Sequence, residues 1–263
     1  QPVFRQRSAG SYEVNGLGGI GIPAMSLAVE KGCELAGDAG ISAIAIRDAG
    51  HTGRLGAFAE GAADNGYLVM ILGGGNRKTW RQVAPYGGRQ PMLPTNPYCI
   101  GIPGGDRGPV ILDFATSQIA GGWIYAAKSA GGRLPEGSVI NRQGQPTTDP
   151  DEFFEGGAIL PAGGPKGYAL ALVAELVGEA MLGPAITECN WLMITINTVR
   201  YRDTSKMQTI AEEILSELRN SPPASGFDQV EIPGERERQH KNNSCGVINV
   251  PTPTWDEILK LQR

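Results

Sequence analysis

The chain has 263 residues, a formal net charge of −4 and a pI near 5.4, enough length for one large domain or two modest ones. Basic and acidic residues are mixed along it, which excludes the basic stripe that attracts nucleic acid. The longest apolar run, residues 168–174, is far short of a bilayer span, and the N-terminus lacks a signal-peptide layout, so a soluble, cytoplasmic protein is expected.

In chain order, residues 23–37 read as a helix with Pro23 in its first turn, and 41–46 (ISAIAI) as a buried strand. A short helix is expected over 55–65, closed by Gly66, then a strand over 67–72. Strand-like runs follow at 98–102 and 110–112, with a helix from about 118 to 129. Residues 167–182 are apolar almost all round, which predicts a helix buried inside the domain. A strand over 191–199 precedes an amphipathic helix over 204–219, with Met207, Ile210, Ala211, Ile214, Leu215 and Leu218 on one face. Thr254 and Glu257 have capping-box spacing for a final short helix. Strands and helices alternate through the middle, so the fold class is α/β.

Cys33, Cys99, Cys189 and Cys245 are too scattered for a metal or redox pair and are expected as small core hydrophobes. With only two histidines, no His-rich metal centre is expected. Glycine is abundant at 38 residues, about twice the usual ~7%. Gly16-Leu17-Gly18-Gly19-Ile20-Gly21 satisfies G-x-G-x-x-G, the dinucleotide fingerprint of Rossmann folds. That motif needs a buried strand before it, and Ser11-Tyr12-Glu13-Val14-Asn15 is too polar and short for a central parallel strand. Asp48 also lies further beyond the motif than the usual ~20 residues, so a plain glycine-rich helix entry is the preferred reading.

Four segments carry residues suited to chemistry. His51, flanked by Gly50 and Gly53 at a strand end, is either an acid/base facing a ligand or a loop residue capping the next helix. Lys166, before the apolar helix, is either a phosphate or ribose contact or a surface lysine beside a turn. Asp113, Thr116 and Ser117, in Asp113-Phe114-Ala115-Thr116-Ser117, either cap the following helix or hydrogen-bond a cofactor. Thr95-Asn96-Pro97 carries the same ambiguity. His240, within a charged stretch, reads as a solvated helix residue.

Taken in order, several motifs resemble the malate/L-lactate dehydrogenase type 2 family of NAD(P)-dependent oxidoreductases. They are Gly50-His51-Thr52-Gly53, Val83-Ala84-Pro85-Tyr86-Gly87-Gly88, Thr95-Asn96-Pro97, Leu112 through Ser117, Gly144 through Pro150, Leu160-Pro161 through Tyr168, Ile232-Pro233-Gly234-Glu235, and Cys245-Gly246-Val247. The resemblance implies a non-Rossmann NAD(P)-binding α/β domain with a mixed sheet over 12–200. Residues 1–11 with 201–263 would form a smaller, partly helical dimerisation and substrate domain, and the protein would be a homodimer. It implies hydride transfer between NAD or NADP and a small 2-oxo or 2-hydroxy acid, malate- or lactate-like, or a cyclic imine. His51 would be the acid/base. Asn76 (beside Gly75), Asp113, Phe114, Ala115, Thr116, Ser117, Lys166, Gly167, Pro233, Gly234 and Glu235 would line the cofactor, and Thr95 and Asn96 the substrate. No metal is implied.

Three departures stand out. Family members carry a further N-terminal segment with an Asp-x-Arg-Gly…His-Gly element that adds an active-site histidine and arginine. The chain also reaches its last long strand sooner after Leu182-Gly183-Pro184, and Pro94 replaces a glycine before Thr95. Two expectations follow, a sequence incomplete at its start or a catalytically silent NAD(P)-binding homologue.

Overall fold

The computed structural model describes residues 1–261. A hairpin of β1 (Val3–Ser8) and β2 (Ser11–Asn15) opens the chain, followed by α1 (Gly21–Ala39), β3 (Ile41–Ala49), α2 (Gly56–Asp64) and β4 (Tyr67–Gly74). Then come β5 (Tyr98–Gly105), β6 (Gly108–Phe114), α3 (Gly121–Ser129), β7 (Val139–Ile140), β8 (Pro146–Thr147), α4 (Pro150–Phe154) and β9 (Ala158–Ile159). The last third holds α5 (Pro165–Glu175) with a π-helical turn at Leu176–Met181, β10 (Cys189–Asn197), α6 (Thr204–Arg219), α7 (Glu235–Asn243) and α8 (Thr252–Lys260).

Seven strands form a mixed sheet in the order β1-β2-β3-β10-β4-β5-β6. Only β2 and β3 pair in parallel. Helices α1 and α2 lay small residues, among them Ala24, Ala28, Ala59 and Ala62, against Val14, Ile44, Ile46, Val69, Ile71 and Met193, building the main core. A second cluster, around Val83, Leu93, Ile124, Val139 and Ile159, underlies the small β8-β7-β9 sheet with α3. Residues 3–8 pair with β2 in the main sheet, and α6 packs on β5.

Several expectations need correction. The polar segment Ser11–Asn15 is a strand after all, parallel to β3, with Glu13 buried and paired to Arg7 at 3.6 Å and Arg47 at 3.7 Å. Val14 buries into the main core while ion pairing compensates the buried Glu13, which lets the segment sit inside the sheet. The helix expected from 118 starts at Gly121, because Gln118 N–H donates to the Leu160 carbonyl and Ser117 bridges Pro161. The all-round apolar helix is not buried. Its inward face carries Gly167, Ala171, Ala174 and Gly178, whereas Leu170, Val173, Leu176 and Met181 are exposed. Small residues win the inward face because β4 comes close: a Cβ on Gly74 would lie 2.2 Å from the Ala174 carbonyl oxygen. The last helix begins at Thr252 with Pro251 at its cap, so Thr254 lies inside it and forms no capping box. The strand expected over 191–199 is shifted to Cys189–Asn197. Cys99 is buried as expected, but Cys245 is exposed. Among the described residues no helix is long and apolar enough to cross a membrane.

Candidate active site

Sheet register decides where the candidate residues meet. Strand β10 runs antiparallel to both β3 and β4, pairing Cys189 with Ala49 and Asn190 with Gly74. Strand β5 begins opposite the end of β4, and Tyr98 pairs with Phe114 at the end of β6. The ends of β3, β4 and β6 and the starts of β5 and β10 thus share one edge of the sheet. A cavity of about 620 Å³ opens there, within the ~300–1,000 Å³ usual for small-molecule sites.

The loop after β3 supplies one wall with His51, Thr52, Gly53 and Arg54. It is seated on the glycine run: Gly16, Gly18 and Gly21 N–H groups donate to the carbonyls of Arg47, Asp48 and His51 at 2.8, 2.8 and 2.9 Å. Gly50 N–H returns a bond of 2.8 Å to the Gly19 carbonyl. Asp48 turns the chain at φ 53° while its carboxylate accepts from Asn15 Nδ2 at 2.8 Å. The G-x-G-x-x-G residues therefore spend three N–H groups on the His51 loop.

Asp113 lines the cavity from the end of β6, with Phe114 and Ala115 beside it. Its carboxylate accepts from Gly56 N–H at 2.6 Å, so it caps α2, not the helix that follows it. Burial pushes this carboxyl above its ordinary range, against the Gly56 N–H and Arg54, which pull it down. Arg54 has no hydrogen-bond or ion-pair partner among the described residues. Trp191 Nε1, on another lining residue, is buried without a partner. His51 Nδ1 lies 3.2 Å from Glu188 Oε2. Burial, with Glu188 and Glu175 nearby, pushes the neighbouring Cys189 thiol up to about 12, so it remains a neutral thiol.

Of the residues expected here, His51, Thr95, Asp113, Phe114, Ala115 and Gly234 line the cavity. The others do not. Thr116 Oγ1 donates to the Thr95 carbonyl and Ser117 Oγ to the Ile119 carbonyl, both as buried scaffold. Asn96 is fully buried and donates to the Ala171 carbonyl at 2.7 Å and to Glu175 at 3.1 Å. Asn76, at φ 62°, holds the Thr187 carbonyl. Lys166 is exposed outside the cavity, while Gly167 packs against the Ala162 and Thr116 carbonyls. Pro233 accepts from Ile111 N–H, and Glu235 pairs with Arg219 at 2.7 Å. The sequence reading missed Arg54, Trp80, Tyr125, Glu188, Trp191 and Glu237. Arg54 directly follows Gly50-His51-Thr52-Gly53, and that adjacency was the one signal available for it.

The malate/L-lactate dehydrogenase family model matches residues 1–259. The chain is 37% identical to the L-sulfolactate dehydrogenase of Methanocaldococcus jannaschii over 254 residues, covering 92% of this chain and 71% of that protein. It is 39% identical over 182 residues to a Delta(1)-pyrroline-2-carboxylate/Delta(1)-piperideine-2-carboxylate reductase of Pseudomonas putida, covering 69% of this chain and 52% of that one. The solved sulfolactate dehydrogenase structure from M. jannaschii superposes with a TM-score of 0.83 at 30% identity, over 97% of this chain and 76% of the other.

Proposed function

Since the chain belongs to the malate/L-lactate dehydrogenase family, we propose that its cavity reduces a small 2-oxo acid or cyclic imino acid with NADH or NADPH, and oxidises the corresponding product in reverse. The observation that carries this reading is the meeting of His51, Arg54 and Asp113 around one cavity of ligand size.

The residues present fit a nicotinamide. The cavity offers a glycine-lined approach at Gly121 and Gly122, an indole wall at Trp80, and the buried, unpartnered Nε1–H of Trp191. Phe114, Ala115 and Gly234 would hold the ring and its ribose, with Asp113 fixed by Gly56 beneath them. The chemistry such a group supplies is hydride exchange with the substrate carbon. Cofactor at this cavity, outside a Rossmann arrangement, is further supported by the glycine run, whose N–H groups are already engaged.

His51 is the acid in reduction: it donates a proton to the carbonyl oxygen or imine nitrogen, and in oxidation it takes that proton back. Arg54 supplies the positive charge that a carboxylate beside the reacting carbon requires, and its guanidinium is free to make a bidentate contact. The relatives' named substrates, sulfolactate and pyrroline- or piperideine-2-carboxylate, share that carboxylate. Exposed apolar faces on α5 with its π-helical turn and on α6, including Val173, Leu176, Ile214 and Leu218, support pairing of two copies.

The test is His51→Ala, assayed by loss of nicotinamide absorbance with a panel of 2-oxo acids and cyclic imines. Turnover should fall ~10²-fold or more with cofactor affinity retained. A fall of less than about tenfold would remove His51 from the proton step.

A further inference from the structure

We propose that Glu188 is a positioning residue: its carboxylate holds the hydrogen on His51 Nδ1 and so reserves Nε2 for the substrate proton. This rests on the reductase reading of the same cavity.

The pairing follows from strand register. Cys189 opens β10 opposite Ala49 at the end of β3, which sets Glu188 across from the two residues that follow Ala49. The backbone at that point is tied from two sides. Thr187 Oγ1 donates to the Ala49 carbonyl at 2.8 Å, and Asn76 Nδ2 donates to the Thr187 carbonyl. Glu188 Oε2 then lies 3.2 Å from His51 Nδ1. The carboxylate side chain is 35% exposed and the imidazole 74%, so Glu188 is the better held partner. Among the cavity's other carboxylates, Asp113 is committed to Gly56, and Glu237 projects from the first turn of α7.

An ionised carboxylate only accepts, so the neutral imidazole beside it carries its hydrogen on Nδ1 and its lone pair on Nε2. The opposite tautomer would set the Nδ1 lone pair against the carboxylate. During reduction the Nε2–H bond breaks as the substrate O–H or N–H bond forms, and Nδ1 keeps its hydrogen throughout. The reverse reaction returns the proton to Nε2. Reduction ends at this neutral tautomer and oxidation starts from it, the ring being doubly protonated on the other side of the step and exchanging its Nε2 proton with solvent, so no ring flip is needed between turnovers.

The experiment is 15N NMR of the full chain labelled at histidine, at a pH where the rings are neutral. Only His51 and His240 contribute, and His240, exposed on α7, is an internal reference assigned with His240→Asn. Wild-type His51 should show a protonated Nδ1 and a bare Nε2. Glu188→Ala should move it to the tautomer of His240 and lower kcat about tenfold or more, with KM for the nicotinamide unchanged. An unchanged His51 tautomer in Glu188→Ala, or a wild-type ring identical to His240, overturns the proposal. A wild-type chain that turns over no 2-oxo acid or imine overturns the reductase reading instead, while the ring nitrogens still decide the role of Glu188.

Discussion

Single side chains around the cavity do two kinds of work, and Glu175 shows the supporting kind. It is buried near the end of β4, where one carboxylate oxygen accepts from Gly75 N–H and from Asn96 Nδ2, both at 3.1 Å. Its other oxygen and Asn96 Oδ1 are buried without partners. Burial raises the Glu175 pKa, outweighing those two bonds. A carboxyl with a raised folded-state pKa contributes stability below its unfolded value, ~4.3, and that contribution is lost as pH rises through the folded value. Glu175→Gln keeps the acceptor for Gly75, adds a donor suited to Asn96 Oδ1, and carries no charge. It should therefore melt above wild type at pH 7–8, with the gap closing toward pH 4, at about 2–4 °C for each kcal/mol recovered. Equal melting curves across that range would show that Glu175 is not a buried, strained carboxylate. None of this is legible in the sequence, where Asn96 reads as a polar turn residue. Its burial follows from α5 lying across the end of β4, a contact between segments far apart in the chain.

Among the elements, the glycine run and the His51 loop form one unit. Motif order in the sequence places His51 at a strand end correctly, and the helix over 204–219 is legible to the residue because its apolar spacing is clean. The sequence misleads at β2, where polar residues hide a strand stabilised by Glu13 ion pairs, and at α5, where apolar character marks an uncovered face. It is silent about Glu188, whose meeting with His51 depends on long-range strand pairing. Two glycines of the run separate backbone strain from loop seating. A Cβ on Gly21 would sit 2.2 Å from the Gly50 carbonyl oxygen and 2.7 Å from Thr52 Cγ2. Gly21→Ala should cost about 1–3 kcal/mol and displace His51, lowering turnover. Gly18, at φ 73°, has open space around it, so Gly18→Ala should cost only about 1 kcal/mol and leave cofactor affinity and turnover unchanged. Chemical denaturation and steady-state assays on both variants check this. Loss of cofactor binding in Gly18→Ala would return the glycine run to a phosphate-binding role.

Across the whole molecule, the main sheet brings its reactive loops to one edge, and the middle of the chain forms the facing wall. Trp80, Gln82 and the start of α3 come from that second unit, so the cavity lies between two hydrophobic cores. In the proposed arrangement the cofactor binds at the ends of β3 and β6, and the start of α1 supports the His51 loop. A crystal structure of the protein with NADPH and a non-reacting 2-oxo acid analogue tests that division most directly. The nicotinamide ring is expected beside Asp113 and Phe114, with the analogue's carbonyl oxygen about 3 Å from His51 Nε2 and its carboxylate on Arg54. A dinucleotide seated with its pyrophosphate on Gly16–Gly21, away from His51, would contradict it.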